Sequence, residues 1–183
     1  ARHLAASQAA ARFKHMHYEQ VRVGGLLYGI NHIENSVDVR PIMSFKTSVA
    51  QVRELPAGWF ISYNMRYQVQ HPTIVALLPM GWTDLLNTNQ LDKECVLIGG
   101  HFCKLLGLCT DFAMVDIGHL PDVKVGDEAV LIGSQGRNCQ TAVALGKAGG
   151  ISTGQLLGKV SIRVPRVYRL KGGYWGELSL LSR

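Results

Sequence analysis

The 183-residue chain lacks the sequence features of membrane proteins and of disulfide-rich secreted domains. It has no apolar run near the ~18 residues that a membrane-spanning helix needs, so we expect no membrane partner. It also lacks a CxxC pair, and its cysteines are too few and too scattered for the disulfide framework of a small secreted domain. We expect Cys95, Cys103, Cys109 and Cys139 to be buried free thiols in the reducing cytoplasm.

Clustered histidines and clustered basic residues are missing as well. His15 and His17 lie two positions apart, on different faces of a helix, and the other histidines are scattered, so we predict no metal site. The net charge of +6 suggests a nucleic-acid partner, but the 19 Lys and Arg residues are spread along the chain. They form no run of four and no pattern interleaved with aromatic residues, so we predict no nucleic-acid binding.

The composition that remains is that of a globular protein, with 47% hydrophobic and 17% charged residues. The length allows one domain, or one domain with a fragment of another. The first 17 residues are rich in Ala and contain no acidic residue. They suit either an organelle transit peptide or an amphipathic helix inside a domain, with Leu4 and Ala11 facing a sheet.

The first third of the chain has the order of a βα unit. Residues 7–14 are Ala-rich and helical, residues 20–23 have the pattern of a short strand, and residues 26–30 that of an apolar helical turn after Gly24 and Gly25. This order is typical of a (β/α)8 barrel, but one unit cannot close a barrel.

From residue 43 the pattern changes to short strands bounded by Gly, Pro, Asn or Asp, which predicts an antiparallel barrel or sandwich. The predicted strands cover residues 43–54, 59–63, 74–78, 95–98, 102–106, 113–117, 129–132, 164–170 and 174–180. Between the strands at residues 129–132 and 164–170 we predict two helices. One covers residues 141–147 and stops at a glycine pair, and the other has Ser152 or Thr153 as its N-cap.

Four segments together resemble the C-terminal half of the alanine racemase family. They are residues 20–30 (QVRVGGLLYGI), 55–67 (LPAGWFISYNMRY), 123–133 (VKVGDEAVLIG) and 161–169 (SIRVPRVYR), and the resemblance runs from His3 to about Tyr168. It implies a mainly β (α+β) fold. An antiparallel, β-barrel-like C-terminal domain at residues 36–183 would follow a remnant of the last βα unit of the PLP-binding TIM barrel at residues 1–35. The Ala-rich opening is then a barrel helix, and we infer that the chain begins mid-protein.

The resemblance implies two central residues. Tyr63, in the SYN sequence, matches the tyrosine that takes the α-proton of the L-amino acid, although a phenol with pKa near 10 needs nearby cations to act as a base. Arg22 matches the arginine against the pyridine nitrogen of pyridoxal phosphate (PLP). Because Arg only donates, it leaves that nitrogen unprotonated, which limits transamination. Without the resemblance, these would be a buried strand tyrosine and a solvated strand arginine.

Further positions match the cofactor and substrate contacts of the family. Ser7, Gly24 and Gly25 match the residues that cradle the PLP phosphate, and backbone N–H groups opening a helix suit an anion. On the substrate side the family pattern implies four residues, each in a motif that departs from it: Thr110, Asp111, Trp82 and Ile162. Thr110 replaces a methionine, while Trp82 and Ile162 replace tyrosines of the entrance and gate. We therefore expect that alanine is not the preferred substrate, or that activity is low.

The resemblance implies a PLP-dependent amino-acid racemase, an isomerase that interconverts L- and D-alanine or a related amino acid for cell wall biosynthesis. It would act as a homodimer with shared active sites. The lysine that binds PLP would come from the N-terminal barrel half, since Lys46 in SFKTSV matches a strand, so this chain is expected to be inactive alone. One alternative is a non-catalytic β-barrel module for binding or dimerisation. Another is a different PLP enzyme, such as a decarboxylase, which Tyr63 and Arg22 disfavour.

Overall fold

The computed structural model describes residues 1–31, 37–170 and 173–180. The chain divides into two compact units, residues 1–44 and residues 45–183. The first unit is a small mixed α/β element, and the second is dominated by antiparallel strands. The second unit confirms the mainly β architecture expected from the spacing of turn residues.

The first unit is a βαβ element. Its regular elements are β1 (His3–Ala6), α1 (Ser7–Arg12) and β2 (Gln20–Arg22), with 3-10 helices at Lys14–Met16 and Gly25–Tyr28. β1 and β2 pair in parallel, as strands joined by a crossover helix do. The prediction for Leu4 was wrong: it lies in β1 and is 56% exposed, because the chain stays extended through Ala6 and turns helical only at Ser7.

The second unit contains twelve strands and two α-helices in the described residues. The strands are β3 (Phe45–Ser48), β4 (Gln51–Leu55), β5 (Phe60–Ile61), β6 (Tyr67–Gln68), β7 (Thr73–Leu78), β8 (Glu94–Ile98), β9 (His101–Leu108), β10 (Ala113–Asp116), β11 (Glu128–Gln135), β12 (Asn138–Gln140), β13 (Arg166–Leu170) and β14 (Gly173–Leu178). The helices are α2 (Ala142–Ala148) and α3 (Thr153–Gly158), and 3-10 helices cover Tyr63–Met65 and Thr88–Gln90.

Eight strands form one antiparallel sheet in the order β12-β11-β8-β9-β10-β7-β4, with β3 paired to β11. β3 and β4 are consecutive in the chain, and the switch between them lies at Val49 and Ala50. The Val49 N–H donates to the Asp127 carbonyl, and the Ala50 N–H donates to the Leu77 carbonyl, both at 2.9 Å. The single strand predicted at residues 43–54 is therefore two strands with different partners, and the chain itself joins the two ends of the sheet in a barrel-like arrangement.

The core of this unit is built from the alternating apolar positions of the sheet. Leu78, Leu97, Leu105, Val115 and Leu131 are fully buried. Burying each such side chain contributes about 1.5–3 kcal/mol relative to leaving it in water. This core fixes the strand ends from which the loops described below emerge.

Both predicted helices are present, and α2 ends at Ala148, directly before the predicted glycine pair. Thr141 caps α2 by accepting a hydrogen bond from the Ala144 N–H at 3.0 Å. Ser152, rather than Thr153, caps α3, and it forms a reciprocal capping box with Gln155. β13 and β14 correspond to the strands predicted at residues 164–170 and 174–180, and they pair antiparallel; residues 171–172 between them lie outside the described residues.

The cysteines are free thiols, but they are not all buried. Burial raises the pKa of both Cys95 and Cys103 to about 12, so these thiols stay protonated and unreactive. Cys109 is half-buried, and Cys139 is exposed on β12 at the end of the sheet, so the predicted burial was wrong for Cys139.

Neither a membrane span nor a metal cluster is found in residues 1–31, 37–170 and 173–180. None of the helices there is long and apolar enough to cross a bilayer. No three His, Cys, Asp or Glu side chains there are grouped as ligands of a metal ion.

Candidate active site

Tyr63 lies on a segment with an unusual backbone conformation. Ser62 (φ 70°), Asn64 (φ 59°) and Met65 (φ 49°) all have positive φ angles, a region that residues other than Gly seldom adopt. The strand predicted over residues 59–63 consequently ends at Ile61, and Tyr63 begins a 3-10 helix instead. Its side chain is 55% exposed, so it is not the buried strand tyrosine that its sequence context alone would suggest.

Ser62 anchors this segment to the end of β9. Its hydroxyl donates to the Leu108 carbonyl at 2.8 Å and accepts from the Leu108 N–H at 3.2 Å. Gly107 permits the close approach, because a Cβ added there would lie 2.5 Å from Cγ2 of Ile61. Two long-range hydrogen bonds and one close backbone contact therefore hold the conformation that presents Tyr63.

Replacing Ser62 separates the effect of its hydrogen bonds from that of its strained backbone. Ser62→Ala loses both bonds and keeps a side chain at positive φ, whereas Ser62→Gly loses the same bonds but relieves the strain. We expect Ser62→Ala to be less stable than the wild type by about 1–2 kcal/mol. Ser62→Gly should be more stable than Ser62→Ala by about 1 kcal/mol. Equilibrium urea unfolding measures both differences, and an Ala variant as stable as the Gly variant would show that the segment is unstrained.

Trp82 packs beside Tyr63, with ring centroids 5.5 Å apart and ring planes inclined by 36°. Its turn is tied to the loop after β9: the Trp82 N–H donates to the Cys109 carbonyl at 3.1 Å, and the Thr83 hydroxyl donates to the Thr110 carbonyl at 2.7 Å. A Cβ added to Gly81 would overlap the carbonyls of that loop, so the turn needs glycine there. The structure thus brings Tyr63, Trp82 and Thr110 together.

Asp84 connects the same turn to the loop that carries Ile162. Its carboxylate is buried and accepts from the Gly81 N–H at 2.8 Å. Arg163 donates to both carboxylate oxygens, from Nε and Nη2, each at 2.6 Å. This hydrogen bonding raises the pKa of Arg163, and the negative charge of Asp111 adds to the effect. Ile162, next to Arg163 in sequence, is 67% exposed.

All four residues predicted on the substrate side therefore belong to loops that are bonded to one another. Sequence reasoning missed Asp84 and Arg163, although Asp84 lies two residues after Trp82 and Arg163 lies in the quoted segment SIRVPRVYR. Their opposite charges were the available signal. Their separation of 79 positions in the sequence meant that the pairing could not be predicted.

The first unit holds the residues predicted to bind PLP. Ser7 directly follows β1 and Arg22 ends β2, so both lie at the carboxyl-terminal edge of a parallel pair, where such sheets bind ligands. The Ser7 hydroxyl accepts from the Gly24 N–H at 3.0 Å, which leaves its own proton available for an acceptor. Arg22 is exposed, and its Nη2 donates to the Leu4 carbonyl at 3.4 Å.

The space around the two glycines suits an anion. No atom lies within 4 Å of a Cβ added to Gly24, and the nearest atom to one added to Gly25 is the Ile30 carbonyl oxygen at 3.7 Å. A phosphate could approach this backbone with the Ser7 hydroxyl as a donor. The residues present in this unit therefore fit the phosphate group of PLP.

Comparison with known proteins places this arrangement in a family. Residues 42–168 match the family model for the alanine racemase C-terminal domain. The alanine racemase of Desulfosudis oleivorans is 36% identical over 91% of this chain and 44% of its own length. Alanine racemase 1 of Clostridium acetobutylicum is 33% identical over 94% of this chain and 46% of its own length.

Solved structures give the same result. The Bacillus anthracis alanine racemase with bound L-Ala-P matches 98% of this chain with a TM-score of 0.90 and 26% identity, over 47% of its own length. The Clostridium difficile 630 alanine racemase in complex with cycloserine matches 98% of this chain with a TM-score of 0.85 and 29% identity, over 48% of its own length. The chain spans about half the length of the curated relatives it matches. It belongs to the alanine racemase family, of which it carries the C-terminal domain.

Proposed function

We propose that the chain is the C-terminal part of a PLP-dependent amino-acid racemase, in which Tyr63 removes the α-proton of the L-isomer. The observation that carries this proposal is the strained segment around Tyr63. Non-Gly residues at positive φ cost on the order of 1–3 kcal/mol each and persist where the surrounding structure holds them, most often at functional sites. Three of them adjoin one exposed tyrosine, at the position of the family's base.

Tyr63 is suited to proton transfer because its contacts restrict its movement and its side chain is exposed. Trp82 packs against its ring, and Ser62 fixes its backbone, so the phenol oxygen can be held at one place relative to a substrate. A phenol must lose its own proton before it can accept another, which requires a nearby cation at neutral pH. We propose that the rest of the full-length protein supplies this cation.

The cofactor residues of the first unit have separate tasks in this proposal. PLP, when bound, supplies an electron sink that makes the α-proton of an amino acid acidic. Ser7 and the Gly25 N–H would hold its phosphate, while the Gly24 N–H orients the Ser7 hydroxyl, and the free space over both glycines supports this role. Arg22 would act on the pyridine nitrogen as a pure donor and would leave it unprotonated. The N-terminal barrel half of the full-length protein provides the covalent lysine.

Homodimerisation is part of the proposal, with Tyr63 serving the active site of the partner subunit. It is supported by the large apolar side chains that the β13–β14 hairpin exposes. These are Val167, Tyr168, Leu170, Tyr174, Trp175 and Leu178. Exposed apolar sets of this kind mark interaction surfaces. The alternative of a non-catalytic binding or dimerisation module would use the same surface, but it gives no reason for the strain around Tyr63.

A cytoplasmic location agrees with the exposed free thiol of Cys139.

The substrate-side residues predict a shifted preference, which also tests the proposed activity. We expect the full-length protein with PLP to racemise amino acids, with kcat/KM for L-alanine no higher than for L-serine or L-lysine, because Ile162 offers no gate hydroxyl. Ile162→Tyr should shift the ratio towards alanine by about 3- to 10-fold, the value of one hydrogen bond. Chiral chromatography of the products gives all three rates. A wild type that strongly prefers alanine would contradict the shifted preference, and no racemisation of any of the three would contradict the function.

A further inference from the structure

Asp84 is the one charged side chain that is buried in the described part of the chain, at 2% exposure. Removing a carboxylate from water is unfavourable unless hydrogen bonds and an opposite charge compensate for it. Here the compensation is complete: both oxygens accept from Arg163, and one of them also accepts from the Gly81 N–H. Such a pair is a poor source of net stability, so its contribution is to geometry.

The groups that Asp84 holds lie in three separate loops. Its carboxylate fixes its own turn at Gly81, while its backbone carbonyl accepts from the Ser161 N–H at 3.2 Å and its carboxylate binds Arg163. The same turn is hydrogen-bonded to the carbonyls of Cys109 and Thr110. One residue thus joins the loops of residues 81–84, 109–111 and 161–163.

We propose that Asp84 is a positioning residue that sets substrate affinity, by holding the loops of Trp82, Thr110 and Ile162 in fixed places beside Tyr63. This inference rests on the proposed function. Trp82 contacts the ring of Tyr63, and Ile162 directly precedes Arg163, which Asp84 binds, so a shift of either loop changes the space for a substrate. The planar guanidinium of Arg163 donates two parallel hydrogen bonds to the two carboxylate oxygens, which a lysine cannot do.

The test uses two variants and a matched control in the full-length protein. Asp84→Asn places an amide NH2 group against the N–H donors of Arg163 or Gly81. Arg163→Lys keeps the positive charge but loses the paired N–H groups of the guanidinium. The control, Glu128→Gln, breaks the exposed ion pair between Lys46 and Glu128, whose atoms are 2.9 Å apart. Asp84→Asn should lower kcat/KM about 10- to 100-fold, mainly through KM, since displacements near 1 Å have effects of this size. Arg163→Lys should lower it less, and the control should leave it unchanged.

Hydrogen exchange of backbone amides gives a second readout that does not depend on catalysis. In Asp84→Asn the N–H groups of Trp82 and Ser161 should exchange faster than in the wild type, whereas the control should not change them. A lower melting temperature with unchanged KM would mean that Asp84 is only structural and would overturn the proposal, as would unchanged exchange. A wild type that racemises nothing would count against the proposed function, while the exchange rates would still decide whether Asp84 holds the loops.

Discussion

Tyr63→Phe in the full-length protein is expected to lower the rate of L- to D-isomer conversion by about 10²- to 10⁴-fold, the usual contribution of a positioned general base. The substitution removes only the phenol oxygen. The ring can keep its contact with Trp82, and the strained backbone at Ser62 is untouched. A loss of rate can therefore be assigned to proton transfer rather than to misfolding. Following optical rotation over time measures the rate.

Tyr67→Phe is the matched control for this experiment. Tyr67 lies four residues further along and packs against the cluster of Leu55, Ile61 and Leu106. Burial is the main cause that raises the pKa of its phenol, which keeps that phenol protonated at neutral pH. We expect near wild-type racemisation from this variant. Equal rates in the two variants, whether both lost or both kept, would show that Tyr63 has no special role.

Gly81→Ala is expected to lower the free energy of unfolding by about 1–3 kcal/mol, as overpacking of a well-packed site does. The added Cβ would overlap the carbonyls of Cys109 and Thr110. Backbone atoms cannot rotate away as the end of a side chain can, so the loop itself must move. Racemisation should fall along with stability, since this loop and Trp82 form one side of the proposed substrate site.

A second glycine provides the comparison for Gly81. Gly154 lies in α3, and no atom is within 4 Å of a Cβ added there. Gly154→Ala should therefore raise stability by about 0.5–1 kcal/mol, because Ala loses less conformational freedom in a helix. Equilibrium unfolding in urea gives both values. If the two substitutions changed stability alike, the close approach of the turn to the Cys109 loop would be refuted.

The strands of the second unit could be predicted because turn residues separate them. β7, β8 and β10 each lie within two residues of the predicted ranges, and Gly, Pro or Asp stands at their ends. The change of partner between β3 and β4 could not be predicted in this way. The alternation of Phe45, Thr47 and Val49 breaks at Ala50, but a local break does not indicate that the two halves pair with different strands.

The sequence predicts which residues form the candidate site but not how they are arranged. The motifs identified Tyr63, Trp82 and Ile162, yet the conformation of the Tyr63 segment depends on Ser62 bonding Leu108, 46 residues away. Neither Ser nor Met favours positive φ, so local propensity pointed to a continued strand. The pairing of Asp84 with Arg163 is likewise a tertiary contact, formed only when the sheet brings their loops together.

The most direct measurement of the central claim is the incorporation of solvent deuterium at the α-carbon of L- and D-alanine by the full-length protein and its Tyr63→Phe variant. The two enantiomers present the α-proton on opposite faces, and Tyr63 is proposed to serve only the L-isomer. We predict that Tyr63→Phe abolishes incorporation into L-alanine while D-alanine still exchanges. Incorporation into L-alanine at the wild-type rate would contradict the assignment of Tyr63 as the base.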